Sequence, residues 1–356
     1  MCIGIFDIFH QMKILLIVCS LFLWLFHPDL FGQNVVAGNE LTFMFYNTEN
    51  FFDTENDSLT NDEEFTPDAD RRWNPARLHS KAERLAKVIL AAGKWNSPVV
   101  VGLCEVEDLR VLELLTKNEP LSRFQYKIVH KDSPDARGID VALLYRPEFF
   151  RPFDYQAIPV IDPTDKSFKT RDILEVNGVL NGCDTLHIFV NHWPSRYGGI
   201  METLRYRSLA AETLKRSVLN LFSRYPKAKI ICMGDFNDTP TDDSLAKILE
   251  AKQSDNQKLK GELINLSSGW ISGEIQTIKS KYSWEIFDQF IVSDYFLDEN
   301  RCFVFREAEI FKAGFLLESD TKFGGVKPKR TYIGFKYQEG FSDHLPVLLR
   351  VKLLNH

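Results

Sequence analysis

The sequence predicts an α+β protein in which two packed, mainly antiparallel sheets carry helices on their outer faces, as a single domain. Three observations point there. Runs such as 98–103 and 228–232 are apolar without alternation, as strands covered on both faces are. Helical patterns recur between such runs, at 75–92 and 202–222. Asn181-Gly182 separates the strand-like runs 176–180 and 186–190 as the favoured two-residue hairpin turn. That hairpin argues against the competitor, a wholly parallel doubly wound sheet.

With 356 residues, 44% of them hydrophobic, the chain has enough apolar material for a large core. Met12-Lys13 and the apolar run 14–26, ending near Gly32-Gln33, read as a secretory leader, too short to span a bilayer comfortably. The first eleven residues then read as an upstream extension, with translation from Met12. The expectation is a leader over 1–33, a mature domain over 34–356 and export to the periplasm or beyond. Cys104, Cys183, Cys232 and Cys302 remain, with three pairings open. No Cys/His cluster suggests zinc. The formal charge of −6 gives no global field that would draw in a polyanion, so phosphate attraction must be local.

In chain order, residues 40–46 form a first strand that exits into Asn47-Thr48-Glu49-Asn50. The acidic stretch 53–70 is a solvated loop. Asn74-Pro75 opens a helix to about residue 92, with Leu78, Leu85, Val88 and Ile89 on one face and Gly93 as its stop. The strand 98–103 ends in Cys104-Glu105, and a helix over 109–115 follows. Strands at 124–129 and 139–145 enclose a loop broken by Pro134 and Gly138. The second hairpin strand runs into Asn191-His192-Trp193, and the strand 228–232 into Met233-Gly234-Asp235-Phe236-Asn237-Asp238. A helix over 241–249 and strands at 285–292, 302–310 and 345–353 complete the chain, with Pro346 at the start of the last, where proline is tolerated.

The Asp235 stretch is the chemical centre. Alternation in an extended chain would aim Asp235 and Asn237 the same way, with Phe236 turning back as an anchor and Gly234 admitting a ligand. An Asx turn capping the helix over 241–249 explains the same residues. Strand after strand closes similarly: Asn47 and Glu49, Glu105, His192, then Asp343-His344 before the last strand. If the sheets align, these endings build one polar floor.

The series NTEN, LCEVE, NHWPSR, MGDFND, FDQFIVS and SDHLP, in this order, resembles the endonuclease/exonuclease/phosphatase superfamily with the deoxyribonuclease-I-like fold, over about residues 41–353. The resemblance implies a four-layer α/β/β/α sandwich and divalent-metal-dependent hydrolysis of phosphoesters. It assigns Asn47, Glu105 and Asp343 to the metal, Mg²⁺ or Mn²⁺ by their oxygen donors, with Glu49 directly or behind them. It makes His344 and its orienting Asp288 catalytic, places His192 on the scissile phosphate, and gives Asp235 and Asn237 the water and a phosphoryl oxygen. The base stays open between Asp235 and the Asp288/His344 pair. Gln289 departs from the tyrosine or arginine usual in relatives. Arg196 and Arg330, in loops with nearby aromatics, are candidates for substrate phosphates, and Arg137 could also reach one. A nuclease acting on DNA or RNA as a monomer is the expectation; a phospholipase or sphingomyelinase-type phosphodiesterase, or a phosphomonoesterase, is the alternative.

Overall fold

The computed structural model describes residues 39–94, 96–253, 261–298 and 302–354, so the expected leader lies outside the described residues. The chain divides into two units, Met1–Asn39, of which only Asn39 is described, and Glu40–His356, to which everything below refers.

Eight strands come first in the chain: β1 (Glu40–Phe51), β2 (Val100–Val106), β3 (Lys127–His130), β4 (Asp140–Tyr145), β5 (Phe150–Ile158), β6 (Ile173–Leu180), β7 (Asp184–His192) and β8 (Lys229–Asp235). One sheet has six strands, in the order Phe303–Ile310, Val347–Leu353, β1, β2, β4, β3. The other has seven, β5, β6, β7, β8, Asp288–Ser293, Leu263–Asn265 and Lys252–Gln253. Pairing is antiparallel except for β1/β2, β7/β8 and the short Leu263–Asn265/Lys252–Gln253 pair.

Side chains that alternate along β8 explain the layers. Ile231 and Met233 enter the core between the sheets, whereas Ile230 and Cys232 meet Ala210, Ala211 and Leu214 of helix Ile200–Arg224. Helix Pro75–Ala92 supplies Leu85, Val88 and Ile89 to the other core, with Asn74 capping the Arg77 N–H at 3.1 Å and Pro75 pre-set for the first turn. Gly102 brings the sheets close, since a Cβ there would lie 3.0 Å from Met233 Cε. Gly234 has a similar duty: its missing Cβ would meet the Asn191 carbonyl oxygen at 2.4 Å. It therefore admits a neighbouring strand, not the ligand expected from sequence.

Other differences are local. The hairpin pairs Leu180 with Asp184, so its loop has three residues, with Asn181 and Gly182 at positive φ. The strand expected at 124–129 begins only at Lys127, after a 3₁₀ turn Leu121–Phe124. The segment 241–249 holds a single π turn, Ser244–Ile248. Strand β5 escaped notice because Pro152 and its charged residues mask it; it lies at a sheet edge, where proline leaves no ladder bond missing. Cys104 and Cys232 sit in different cores, while the Cys183 and Cys302 thiols hydrogen-bond to each other.

Candidate active site

Parallel pairs β1/β2 and β7/β8 send their exits in common directions, and the next strands run back from the same end. Asp288 opens its strand opposite Asp235, and Val347 opens the last strand opposite Phe45. The β1/β2 ladder slips between Asn47 and Phe51, and β2/β4 slips between Cys104 and Val106. These irregularities put Glu49, Asn50 and Glu105 at φ of 54°, 57° and 56°, and Asn237 stands at 51°. Non-glycine residues there cost on the order of 1–3 kcal/mol each and persist only where the surroundings over-determine them.

Asn47 joins the two sheets. Its Nδ2 donates to Asp235 Oδ2 at 3.1 Å and to Glu105 Oε1 at 3.3 Å, and its Oδ1 accepts the Glu49 N–H at 2.9 Å. The Ser342 hydroxyl donates to the Asn47 carbonyl at 2.7 Å and accepts the His344 N–H at 3.1 Å, locking the final loop to β1.

Two imidazoles flank one carboxylate. Nε2 of His192 and Nε2 of His344 each lie 3.8 Å from Asp235 Oδ2, and His192 Nε2 is 3.9 Å from Glu105 Oε1. His344 Nδ1 is 2.7 Å from Asp288 Oδ2, and Asp288 is aligned by its N–H bond to Thr277 Oγ1 at 3.2 Å. Burial opposes charge on both rings, with different outcomes. Around His344, Asp288, Asp235 and Asp343 outweigh burial and raise the pKa well above the ordinary value. Around His192, burial is reinforced by Arg171, Arg137 and His344, and the pKa falls well below it. One ring is held charged and the other neutral. Asp235 is pushed up to about 6, chiefly by burial, with Asp288 adding to the rise and His344 opposing it.

Arg330 bridges the remaining acids, Nε to Glu49 Oε1 at 2.9 Å and Nη2 to Asp343 Oδ2 at 2.8 Å. Burial acts to raise Asp343, but Arg330, His344 and Lys81 hold its carboxyl below the usual range. The other Glu49 oxygen accepts the Thr331 N–H at 2.6 Å, so this carboxylate stands behind the cleft, where burial raises its pKa.

Asn47, Glu105, His192, Asp235, Asp288, Asp343 and His344 thus gather round one cleft. Asn237 is oriented otherwise than alternation predicts: its N–H binds Asp235 Oδ1 at 3.0 Å and its Nδ2 the Trp193 carbonyl at 2.9 Å. Strand β8 ends at Asp235, and the two-residue period ends with it; the turn is an Asx turn. Phe236 anchors as expected, buried edge-on against Trp193 at 4.9 Å. Arg196 is held by Asp238 at 2.9 Å, Asp242 at 2.6 Å and the Asn237 carbonyl at 2.8 Å. Arg137 is half-exposed, 3.8 Å from Asp135.

Sequence reading missed several supports. Buried Lys81 donates to Thr331 Oγ1 at 2.5 Å and the Phe341 carbonyl at 2.6 Å, and burial lowers its pKa to about 8 against Glu49 and Asp343. Its signal was present: a lysine between Leu78 and Leu85 on the apolar face of a helix. Arg171 fixes the His192 loop through the carbonyls of His192 at 3.2 Å and Trp193 at 2.7 Å, with Asp135 at 2.9 Å. No local pattern marks it.

Glu105, Asp235 and Asp343 bring hard oxygen donors of the kind a divalent cation takes, whereas the Asn47 amide turns its Nδ2 to Glu105 and Asp235 and its oxygen to the Glu49 N–H. Asp235, Asp288 and His344 also present atoms within 4.8 Å of one another. Cys104 approaches His192 and Asp235 as closely, but burial raises its thiol pKa well above the usual value, which disfavours a thiolate there.

A charged and a neutral imidazole thus stand on either side of one carboxylate, a site that suits a phosphoester hydrolase. The model of the Endonuclease/Exonuclease/phosphatase family matches residues 42–353, and the chain belongs to that family. A solved structure of humanised D. rerio TDP2 is 15% identical, with a TM-score of 0.52 over 88% of this chain and 99% of that one. An endonuclease/exonuclease/phosphatase family protein from Bacteroides thetaiotaomicron is 14% identical, TM-score 0.52, over 88% and 97%. The human Nocturnin catalytic domain with bound sulfate is 16% identical, TM-score 0.51, over 89% and 95%. At such identities the likeness is one of fold. No curated protein sequence matches the chain.

Proposed function

We propose that the protein is an exported, divalent-metal-dependent phosphodiesterase that cleaves nucleic acid by in-line attack of water. The observation that carries the reading is the pair of Nε2 atoms, each 3.8 Å from Asp235 Oδ2, one ring charged and the other neutral. A protonated His344 has no lone pair for a proton, so Asp235, ionised above about pH 6, is the base that takes it from water. His344, oriented by Asp288, places positive charge where the phosphoryl oxygens gain negative charge. Neutral His192 orients the phosphate. Glu105 and Asp343, with Asn47 once its amide is turned, would hold Mg²⁺ or Mn²⁺, which when bound would neutralise charge on the phosphoryl oxygens and the leaving alkoxide.

Nucleic acid is favoured by the loop after His192, where Tyr197 is 93% exposed beside Arg196, a ring placed to stack on a base. D. rerio TDP2, similar in fold, has been solved with a single-strand DNA product. Export rests on the leader expected over 1–33.

The test is EDTA-sensitive hydrolysis of bis-p-nitrophenyl phosphate, followed by DNA, RNA, sphingomyelin and inositol phosphates in parallel. Asp235→Ala and His344→Ala should each lower turnover by about 10²- to 10⁴-fold in folded protein. Near-normal rates in either variant would refute the assignment. Faster cleavage of the lipid or of inositol phosphates would transfer the protein to the alternative substrate class.

A further inference from the structure

A cavity of about 700 Å³ opens on the outer face of the seven-stranded sheet, where helix Ile200–Arg224 ends. It lies by the starts of β7 and β8, their opposite ends from His192 and Asp235, on the order of 15–20 Å away at ~3.3 Å per residue. Its floor is polar although buried: Glu175, Asn177 and His187 are 4%, 7% and 6% exposed. Burying a carboxylate is costly unless donors meet it. Here Gln156 Nε2 donates to Glu175 Oε2 at 2.7 Å and Asn177 Nδ2 to Glu175 Oε1 at 3.1 Å. With its nitrogen so committed, Asn177 turns Oδ1 to His187 Nδ1 at 2.6 Å, and that oxygen only accepts. The proton therefore sits on Nδ1, and Nε2 of a neutral ring keeps its lone pair. Burial, which lowers the His187 pKa, agrees with the neutral form.

The catalytic site uses none of these groups. Tyr225 stacks on His187 at 5.6 Å and 24° yet stays 56% exposed, and Phe153 on the lining is 63% exposed. Charges on the lining balance: Asp154, Glu175 and Asp184 against Arg224, Lys227 and Lys229, with Lys229 already 2.7 Å from Asp184. An anion finds no net field there. Open aromatic faces beside planar amide and carboxylate acceptors are the chemistry that recognises hydroxyl-rich rings, and the volume lies in the range of small-molecule sites.

We propose that this cavity binds a neutral oligosaccharide, with a sugar face on Tyr225 and hydroxyls donating to Glu175 and to His187 Nε2. Saturation-transfer NMR and calorimetry on the intact protein, with maltotriose, cellotriose, xylotriose and triacetylchitotriose at millimolar concentration, test it. At least one sugar should bind, and Tyr225→Ala should weaken it tenfold or more while diester hydrolysis is retained. Glu175→Gln, checked for folding by circular dichroism, should weaken it as well. Silence from all four sugars, binding indifferent to Tyr225→Ala, or preferential binding of inorganic phosphate at this cavity would overturn the proposal.

Discussion

His344 is charged because of one neighbour above all. Asp288 faces it at 2.7 Å, and their pairing turns an imidazole that burial would discharge into a cation. Asp288→Asn keeps the shape but removes the charge. The His344 pKa should fall in NMR titration, and kcat should drop by about 10²- to 10⁴-fold with KM little changed. Glu107 shows the opposite balance: it accepts the Asp53 N–H at 2.6 Å, yet burial, with Asp53, Asp108 and Asp62 nearby, pushes its pKa up to about 8. A carboxyl whose folded pKa is raised contributes stability fully present below its unfolded value of 4.5, which is lost as pH rises through about 8. Glu107→Gln should therefore melt with the wild type near pH 4 and above it at pH 9. A constant gap across that window would show that the ionisation is not responsible. At this scale the sequence revealed residue types well, since Asn47, Glu105, Asp235 and His344 stand in recognisable strings, but their protonation depends on partners such as Asp288, which lies 56 positions from His344.

At the scale of elements, strand ends carried most of what could be read early. Apolar runs and their polar exits are local patterns, so β1, β2, β7 and β8 were expected in place. Elements decided by neighbours were not: β5 is a strand because β6 offers an edge, and the segment after Asp235 turns because Asn237 takes positive φ. The hairpin between β6 and β7 also bears on the pairing that the cysteines left open, since it brings the free thiols of Cys183 and Cys302 together. Cys183 in its loop donates its N–H to the Leu180 carbonyl at 3.0 Å, and Cys302 Sγ reaches the same oxygen at 3.8 Å. Oxidised glutathione should take two electrons and the two thiol protons from this pair, leaving as two reduced glutathione molecules, and close a Cys183–Cys302 disulfide. Peptide mapping should find that bridge and leave Cys104 and Cys232 alkylated only after unfolding. A disulfide joining one sheet's hairpin to the other's edge strand should raise Tm, by an amount corresponding to about 2–4 kcal/mol. A bridge to Cys104 or Cys232 would contradict the packing.

At the scale of the molecule, the sandwich brings acids from both sheets together, and a cation bound among them would relieve their repulsion. Mg²⁺ or Mn²⁺ should raise Tm by mass action, about 2.7 kcal/mol at a hundredfold excess over Kd. Glu105→Gln should abolish most of that rise in scanning calorimetry, whereas an unchanged rise would move the cation elsewhere. The sequence by itself determined the class of fold, the order of the principal strands and helices, and the residue types that end them, because hydrophobic period and turn chemistry act between near neighbours. Only the tertiary structure decided that Asp235 is flanked by a charged and a neutral imidazole, that Arg330 spans Glu49 and Asp343, and that Lys81 is buried beneath them. Those outcomes depend on distance and desolvation among groups that meet only when both sheets have closed on each other.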